Sequence, residues 1–246
     1  MEEMVQFFKE NKYIFLQDIL SPEVCAGLTE MVFKAYSEED NHYYDIQSPK
    51  SEAFYGLPIL DKLLNELKPT FESASGLELI PTYSYCRIYR PGDSLPIHKD
   101  REACEISATL TLGFDGQDIW PIHLSENKDA SEPVNAIIPV GSALMYRGMD
   151  MWHWRSNYLH GNWQVQVFLH YVDANGSHKE EKFDQREKLG NKPAEKKPDF
   201  WQLGEKAENK FLYYTFQNVL TQPLIDNILD YTKDQIHPAS LLHGNI

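Results

Sequence analysis

Hydrophobic and polar positions near the N-terminus predict a strand followed by a helix. The segment "NKYIFLQDIL" (11–20) has the pattern of a strand. Ser21 then offers an N-cap, and Pro22 suits the first helical position because its missing N–H is not needed there. The helix is predicted to continue to about Ala35.

A second helix is predicted over "LPILDKLLNELKPTFESASG" (57–76), where Gly76 has the position of a C-terminal stop. Its apolar face consists of Leu60, Leu63, Leu64 and Leu67. Residues 41–56, between the two helices, lack periodicity and are rich in turn formers. They are predicted to form a long loop, either a lid over a substrate or a mobile connection.

From residue 79 to residue 173 the pattern changes to short strands. In "LIPTYSYCRIY" (79–89), alternation places Tyr83, Tyr85, Arg87 and Tyr89 on one face. Further strand-like segments follow between Gly, Pro, Asp and Asn residues: "CEISATLTLGF", "DIWPIHL", "NAIIPV", "SALMYRG" and "WQVQVFLHYVD". This order predicts an α+β, mainly β fold, a double-sheet jelly roll with helices against one side.

Composition and charge narrow the class of protein. The 246 residues, 42% hydrophobic and 24% charged, suit one large globular domain or one domain with an appendage. No apolar run reaches the roughly 18 residues of a membrane helix, so no membrane partner is expected. The net charge of −14 disfavours a nucleic-acid partner. Three cysteines without C-x-x-C spacing argue against disulfides and structural zinc, so a cytoplasmic location is expected.

The chain is predicted to divide near residue 175. Residues 174–210 hold nine Lys/Arg and eight Asp/Glu, as in a linker or surface helix. After them, "YYTFQNVLTQPLIDNILDY" (213–231) is similar to "YIFLQDILSPEVCAGLTEM" (13–31) at an offset of 200. Either strand–helix segments simply look alike, or a second, similar module begins here. The expected domains are 1–175 and 176–246, the latter a charged linker and C-terminal segment.

The stretch "LPIHKD" combines an imidazole and a carboxylate. Residues i and i+2 of an extended segment project to the same side, so His98 and Asp100 can contact one ion. A lone H-x-D is a weak signal and needs a third ligand. "PVGSALMYRGMDMWHWRSN" supplies His153, 53 residues after Asp100. Two imidazoles and one carboxylate form the facial triad of non-haem Fe(II) oxygenases, which leaves three metal positions open.

Other histidines compete for the third position. His160, in the turn before the last strand, is the main rival of His153, which is favoured because it follows the "ALMYRG" strand. His123 and His170 lie in strands with apolar neighbours and are expected to be structural. His178 follows an Asn-Gly turn within a charged run and is expected to face solvent.

The joint order of "YRPGDSLPIHKD", "ISATLTL", "PVGSALMYRG", "HWR" and "GNWQVQVFLHYVD" resembles the 2-oxoglutarate/Fe(II)-dependent dioxygenases of the prolyl 4-hydroxylase-like group. The match covers about residues 10–175. The resemblance implies a double-stranded β-helix, which is a jelly-roll variant, buttressed by the N-terminal helices. It implies Fe(II) held by His98, Asp100 and His153, 2-oxoglutarate hydrogen-bonded by Tyr89, and ascorbate as a reductant.

One position departs from the pattern of that group. The group usually has an Arg or Lys on the strand after the distal histidine, paired with the far carboxylate of 2-oxoglutarate, but "NWQVQ" has no cation. A buried dicarboxylate needs a fixed positive partner. Arg155 is the nearest replacement, Arg87 the second and Arg147 a weaker third, with a structural ion pair as the alternative for each. Gln164 or Gln166 could add neutral hydrogen bonds, or could face solvent.

The triad and the resemblance predict a hydroxylase that acts on an amino acid, a peptide or protein side chain, or a small metabolite, with no catalytic residue beyond the metal ligands. The second hypothesis is a non-catalytic jelly-roll binding module, which the missing cation favours and the complete triad disfavours. A nucleic-acid demethylase is disfavoured by the acidic charge. The oligomeric state does not follow from the sequence.

Overall fold

Helices and strands are given for the residues that the computed structural model describes, namely 2–37, 47–48, 51–159, 161–190, 213–215 and 225–226. The α-helices are α1 (Glu2–Asn11), α2 (Pro22–Ser37) and α3 (Pro58–Ser75). The strands are β1 (Tyr13–Gln17), β2 (Glu52–Tyr55), β3 (Leu79–Tyr89), β4 (Leu95–His98), β5 (Ile106–Gly116), β6 (Ile122–Ser125), β7 (Val134–Ala136), β8 (Ala143–Arg147), β9 (Trp152–Arg155), β10 (Gly161–Asp173) and β11 (Tyr213–Thr215).

Two sheets form the centre of the fold. The larger sheet has the strand order β11-β1-β8-β5-β10-β3-β2, and the smaller sheet has the order β4-β9-β6-β7. The long strands β3, β5 and β10 pair antiparallel over most of their length. The sheets face each other without closing into a barrel, and His153 of the smaller sheet packs against Tyr146 of the larger one, with ring centroids 4.8 Å apart. The predicted mainly β fold of jelly-roll type is confirmed.

The helices cover the outer face of the larger sheet. Because side chains alternate along a strand, Val165, Val167 and Leu169 of β10 point outward and pack in the main hydrophobic core. The leucines predicted for one face of α3 are fully buried in the same core. Gly76 ends α3 with a left-handed conformation (φ 71°), as its position in the sequence predicts.

Helix α1 and strand β2 were not predicted from the sequence. In α1, Met4 and Phe8, one helical turn apart, are buried against the core. Residues 52–55, predicted as part of a loop, form the edge strand β2, in which Phe54 is fully buried opposite Cys86. Residues 41–46 and 49–50 of the predicted loop lie outside the described residues.

The chain beyond β10 packs back onto the domain. A 3₁₀ turn covers Lys179–Gln185, and the Arg186 guanidinium then donates a hydrogen bond to Asp61 Oδ2 at 2.8 Å, with both side chains 2% exposed. Strand β11 pairs parallel with β1, Phe15 opposite Tyr213. Most of residues 191–246 lie outside the described residues, so the domain limits and the second module stay predictions. None of the described helices has the length and apolar character to cross a membrane.

Candidate metal centre

His98 and His153 lie opposite each other on the neighbouring strands β4 and β9. Their ring centroids are 4.1 Å apart. Burial alternates along β9, so His153 and Arg155 face the interior between the sheets, whereas Trp152 and Trp154 lie on the other side. The strand pairing thus brings together two histidines that are far apart in the sequence.

Asp100 completes a group of three possible metal ligands. Its Oδ1 atom lies 3.7 Å from His98 Nε2 and 3.5 Å from His153 Nε2. Ligand atoms that bind one metal at about 2.1 Å and at right angles lie about 3 Å apart. The three ligand atoms therefore need to move only slightly closer together to bind one ion. His98 and His153 are 5% and 2% exposed. The three ligands predicted from the sequence are therefore placed together.

The orientation of both imidazoles suits metal binding through Nε2. His98 Nδ1 is 2.8 Å from Pro96 O, and His153 Nδ1 is 3.1 Å from Met151 O. A carbonyl oxygen only accepts, so each Nδ1 carries the hydrogen and each Nε2 is the nitrogen with the lone pair that can bind a metal. Burial, followed by the neighbouring His153, lowers the pKa of His98 to about 3. His98 is therefore neutral at physiological pH, as a ligand must be.

A hydrogen-bond chain behind Asp100 holds its carboxylate. The Ser107 hydroxyl donates to Asp100 Oδ2 at 2.6 Å, and Ser107 Oγ is 2.9 Å from His170 Nδ1. With its one hydrogen given to Asp100, the hydroxyl accepts from the imidazole N–H. Burial raises the pKa of Asp100. The neighbouring histidines and the hydrogen bond with His153 together lower the pKa by more, so it is well below its usual range. This row of hydrogen bonds was not predicted from the sequence. It forms because His170 and Ser107 are register partners on β10 and β5.

Gly148 leaves the space that Asp100 occupies. A Cβ atom at this position would lie 2.3 Å from Asp100 Oδ2 and 2.3 Å from Cys104 O, closer than such atoms can approach. The Asp100 N–H also donates to Gly148 O at 3.0 Å. The glycine after the "ALMYR" strand is thus required by close packing against a candidate ligand.

Arg155 faces the same interior as His153 and is 2% exposed. Its Nη1 donates to Trp120 O at 2.5 Å, whereas its Nε and Nη2 are buried and have no hydrogen-bond partner among the described residues. Burial lowers the pKa of Arg155 to about 10, and the nearby Tyr89 and Tyr146 oppose this shift. The side chain remains a buried cation at physiological pH with two unused donors. Such a group fits a carboxylate ligand.

Comparison with known proteins identifies the architecture around this centre. No protein-family model matches the chain, and no curated protein matches it. Among solved structures, a prolyl-4-hydroxylase from Pseudomonas putida aligns with a TM-score of 0.54 and 14% identity, over 70% of this chain and 97% of that one. A non-heme alpha-ketoglutarate-dependent epimerase from nogalamycin biosynthesis aligns with a TM-score of 0.60 and 11% identity, over 82% and 95%.

A prolyl hydroxylase from Trichoplax adhaerens, in complex with a hypoxia-inducible factor peptide fragment, aligns with a TM-score of 0.58 and 11% identity, over 76% of this chain and 92% of that one. The chain has the fold of the 2-oxoglutarate/Fe(II) oxygenases. The predicted double-stranded β-helix is thereby confirmed.

Within this oxygenase fold, the strand expected to carry a cation has neutral side chains in its place. Gln164 and Gln166 of β10 are both fully buried, so the alternative that they face solvent is wrong. Gln164 Nε2 donates to Gln166 Oε1 at 3.0 Å, and Gln166 Nε2 donates to Thr109 Oγ1 at 2.8 Å. Gln164 Oε1 accepts from the Trp120 N–H at 3.0 Å. The two glutamines form a row of neutral polar groups that reaches the main chain of Trp120, which Arg155 also contacts.

The other two candidate arginines have different surroundings. Arg87 is 1% exposed and shares the inner face of β3 with Tyr89, but its Nη1 and Nη2 donate to Ser51 Oγ at 3.0 Å and Gln47 Oε1 at 2.8 Å. Arg147 points outward from β8, with its Cζ 5.7 Å from the ring of Phe8 in α1. Arg147 as an anchor is therefore wrong, because alternation along β8 turns it away from the interior.

His123, one of the rival histidines, lies away from the three candidate ligands. His123 Nδ1 is hydrogen-bonded to Asn135 Oδ1, and its ring stacks on Trp154 on the side of β9 that faces away from Asp100. His160 lies outside the described residues. The geometric case for His153 therefore rests on its own distance to Asp100.

Proposed function

We propose that the protein is a 2-oxoglutarate- and Fe(II)-dependent dioxygenase that hydroxylates an amino acid, a peptidyl side chain or a small metabolite. The observation that carries this proposal is the placement of a buried guanidinium with two unused donors on the same strand face as a metal ligand. A module that only keeps the fold has no need for three converging metal ligands, and a structural role for Arg155 does not account for its Nε and Nη2.

Each residue has a defined task in the proposed reaction. His98 Nε2, His153 Nε2 and Asp100 Oδ1 hold the metal and leave three positions open. Arg155 binds the far carboxylate of 2-oxoglutarate and so sets the direction in which the cosubstrate lies. Bound there, Fe(II) and 2-oxoglutarate supply dioxygen activation and the two electrons released on decarboxylation to succinate.

The surrounding side chains exclude water and orient the cosubstrate. Tyr89 is fully buried on the inner face of β3, beside Gln164 of β10, and we assign its phenol the hydrogen bond to 2-oxoglutarate. Gln164 lines the same side with a neutral amide. Arg87 donates to Gln47 and Ser51, so we assign it to the side from which a substrate enters rather than to the cosubstrate.

The direct test is Fe(II)-dependent succinate formation from 2-oxoglutarate, together with anaerobic calorimetry of 2-oxoglutarate binding. We expect binding that requires the metal, and slow succinate release without an added substrate. Arg155→Gln should raise the Kd for 2-oxoglutarate about 10- to 100-fold, because a hydrogen bond to a charged group contributes about 1.5–3 kcal/mol. Arg147→Gln, on the outer face of β8, is the matched control. If metal-loaded wild-type protein neither binds nor consumes 2-oxoglutarate, the binding-module hypothesis replaces this one.

The metal ligands have a separate test. His153→Ala should abolish binding of Fe(II), measured by chelator competition, while His160→Ala should retain it. Loss of binding in His160→Ala instead would refute the ligand set.

The substrate class needs a screen rather than a single assay. One structural neighbour was solved with a peptide fragment and another is described as an epimerase, so this fold serves different substrates and outcomes. We therefore propose to follow succinate release while free amino acids and short peptides are added in turn. A substrate should raise the rate above the uncoupled level and gain the mass of one oxygen atom.

A further inference from the structure

Trp120 presents a third unused donor in the same enclosure as Arg155. Within the part of the chain that the structure describes, the buried indole Nε1 has no hydrogen-bond partner, and neither do Arg155 Nε and Nη2. Trp120 is 1% exposed and lies in the connection between β5 and β6. An indole N–H can only donate, so it needs an acceptor when it is buried.

The main chain and the ring of Trp120 are held on several sides. Its N–H donates to Gln164 Oε1 at 3.0 Å, and its carbonyl accepts from Arg155 Nη1 at 2.5 Å. The ring packs edge-on against Tyr89, with centroids 4.9 Å apart, and against Tyr158 at 5.2 Å. The indole therefore has a fixed direction, with no rotation needed before a ligand binds.

The guanidinium and the indole are close enough to share one ligand group. Arg155 Cζ lies 5.1 Å from the centroid of the Trp120 ring. A carboxylate has two oxygens, each of which can accept more than one hydrogen bond. Two of the three donors that lack partners among the described residues belong to the Arg155 guanidinium and the third to the indole, so a cation provides most of the donors, which favours an anion as their ligand.

We infer that Trp120 is the second donor to the far carboxylate of 2-oxoglutarate and, with Arg155, makes the protein select a 2-oxo dicarboxylate over a 2-oxo acid with an uncharged tail. This inference rests on the proposed function. It also explains how a neutral Gln164 is tolerated on β10. The two donors reach the carboxylate from β9 and from the β5–β6 connection instead.

A purely structural role for Trp120 is the alternative, in which the ring only supports the guanidinium through a cation–π contact. The two roles differ in what happens at the indole N–H. A donor to the carboxylate experiences a new hydrogen bond when the ligand binds, whereas a supporting ring keeps its N–H unchanged.

The experiment follows the indole N–H resonances of ¹⁵N-labelled protein with diamagnetic Zn(II) in the metal site. The chain has five tryptophans, and Trp120→Phe identifies the resonance by its absence. We expect 2-oxoglutarate to shift this resonance downfield. 2-Oxopentanoate, which has the same 2-oxo acid group but no far carboxylate, should leave it in place. A resonance that does not move although 2-oxoglutarate binds, or that moves equally with both ligands, overturns the inference.

Affinities provide a second readout. Trp120→Phe keeps an aromatic ring and removes only the donor, and should raise the Kd for 2-oxoglutarate about 10-fold without changing that for 2-oxopentanoate. Trp154→Phe, on the opposite side of β9, is the matched control. Equal loss for both ligands in Trp120→Phe contradicts a donor role.

The outcomes separate this inference from the proposed function. If wild-type protein with metal binds no 2-oxoglutarate, both are overturned. If it binds 2-oxoglutarate with the Trp120 indole unaffected, only the role of Trp120 is lost. The wild-type spectra decide this even if Trp120→Phe does not fold, since a shift confined to one indole resonance and to 2-oxoglutarate supports the inference.

Discussion

Arg155 lies two residues after His153 on β9 and projects to the same inward side, where its buried Nε and Nη2 atoms have no hydrogen-bond partner in the described ranges of the chain. One strand of four residues therefore supplies both a candidate metal ligand and a buried cation. The short separation fixes the distance and direction between the two, because both belong to the same rigid element.

The unused donors of Arg155 predict an unusual effect on stability. Arg155→Met should make the ligand-free protein more stable by about 1 kcal/mol, because a buried charge without an anionic partner is removed and the space is filled with an apolar side chain. Urea unfolding at neutral pH measures this change. The matched control is Arg186→Met, which breaks the buried pair with Asp61 and should destabilise by about 3–5 kcal/mol. Equal destabilisation by both substitutions would show that Arg155 has a structural partner.

The close packing of Gly148 against Asp100 predicts that replacing this glycine with alanine weakens metal binding. Gly148→Ala places a Cβ atom 2.3 Å from Asp100 Oδ2, so the carboxylate must move away from His98 and His153. We expect the affinity for Co(II), followed by its visible absorption, to fall at least about 10-fold. Gly113→Ala, whose Cβ would meet Thr29 Oγ1 at 3.1 Å, is the comparison and should bind Co(II) as wild type does. Unchanged affinity in Gly148→Ala would mean that Asp100 is not needed in its present position.

The Ser107 hydroxyl should matter for the metal through Asp100. In Ser107→Ala the carboxylate loses the 2.6 Å hydrogen bond at Oδ2 and becomes free to turn. The affinity for Co(II) should fall about 10- to 100-fold, the usual range for a lost partner of a metal ligand. Ser75→Ala removes a hydroxyl that is hydrogen-bonded within α3 and provides the control. An affinity loss of the same size in both variants would point to general destabilisation.

His170 predicts a pH dependence of the metal-free protein. Burial lowers its pKa from 6.5 to about 4, so between these values the unfolded chain binds a proton that the native protein does not. The free energy of unfolding therefore rises with pH in this window, by about 1.4 kcal/mol per pH unit for this group. The contribution of His170 to stability is lost as the pH falls through the same window.

The measurement is the difference in slope between wild type and His170→Asn in urea titrations from pH 7 to pH 5. Since His98 titrates in the same direction, a residual slope is expected in the variant. His178→Asn, in the turn after β10, should keep the full slope. A wild-type slope in His170→Asn would show that this imidazole is not buried in neutral form.

Most helices and strands of the fold could be predicted from local sequence patterns. The period of two in β3 and the leucine spacing of α3 depend only on neighbouring residues, which is why these two elements were predicted with the correct faces. Helix α1 was missed because its apolar side consists of isolated residues such as Met4 and Phe8, which gain their meaning only from the core they pack against. Strand β2 was missed because an edge strand is defined by its partner, β3.

The sequence by itself determined which residue types were available: an H-x-D pair on an extended segment, a distal histidine, and three arginines in place of the expected cation. Only the tertiary structure distinguished the arginines. Arg147 points to α1, Arg87 donates to Gln47 and Ser51, and Arg155 points between the sheets with two donors that no described residue uses. The physical reason is that a side chain's surroundings depend on strand register and on which sheet faces it. The same reason explains why Trp120, in a connection with no motif of its own, became visible only once β5, β9 and β10 were assembled around it.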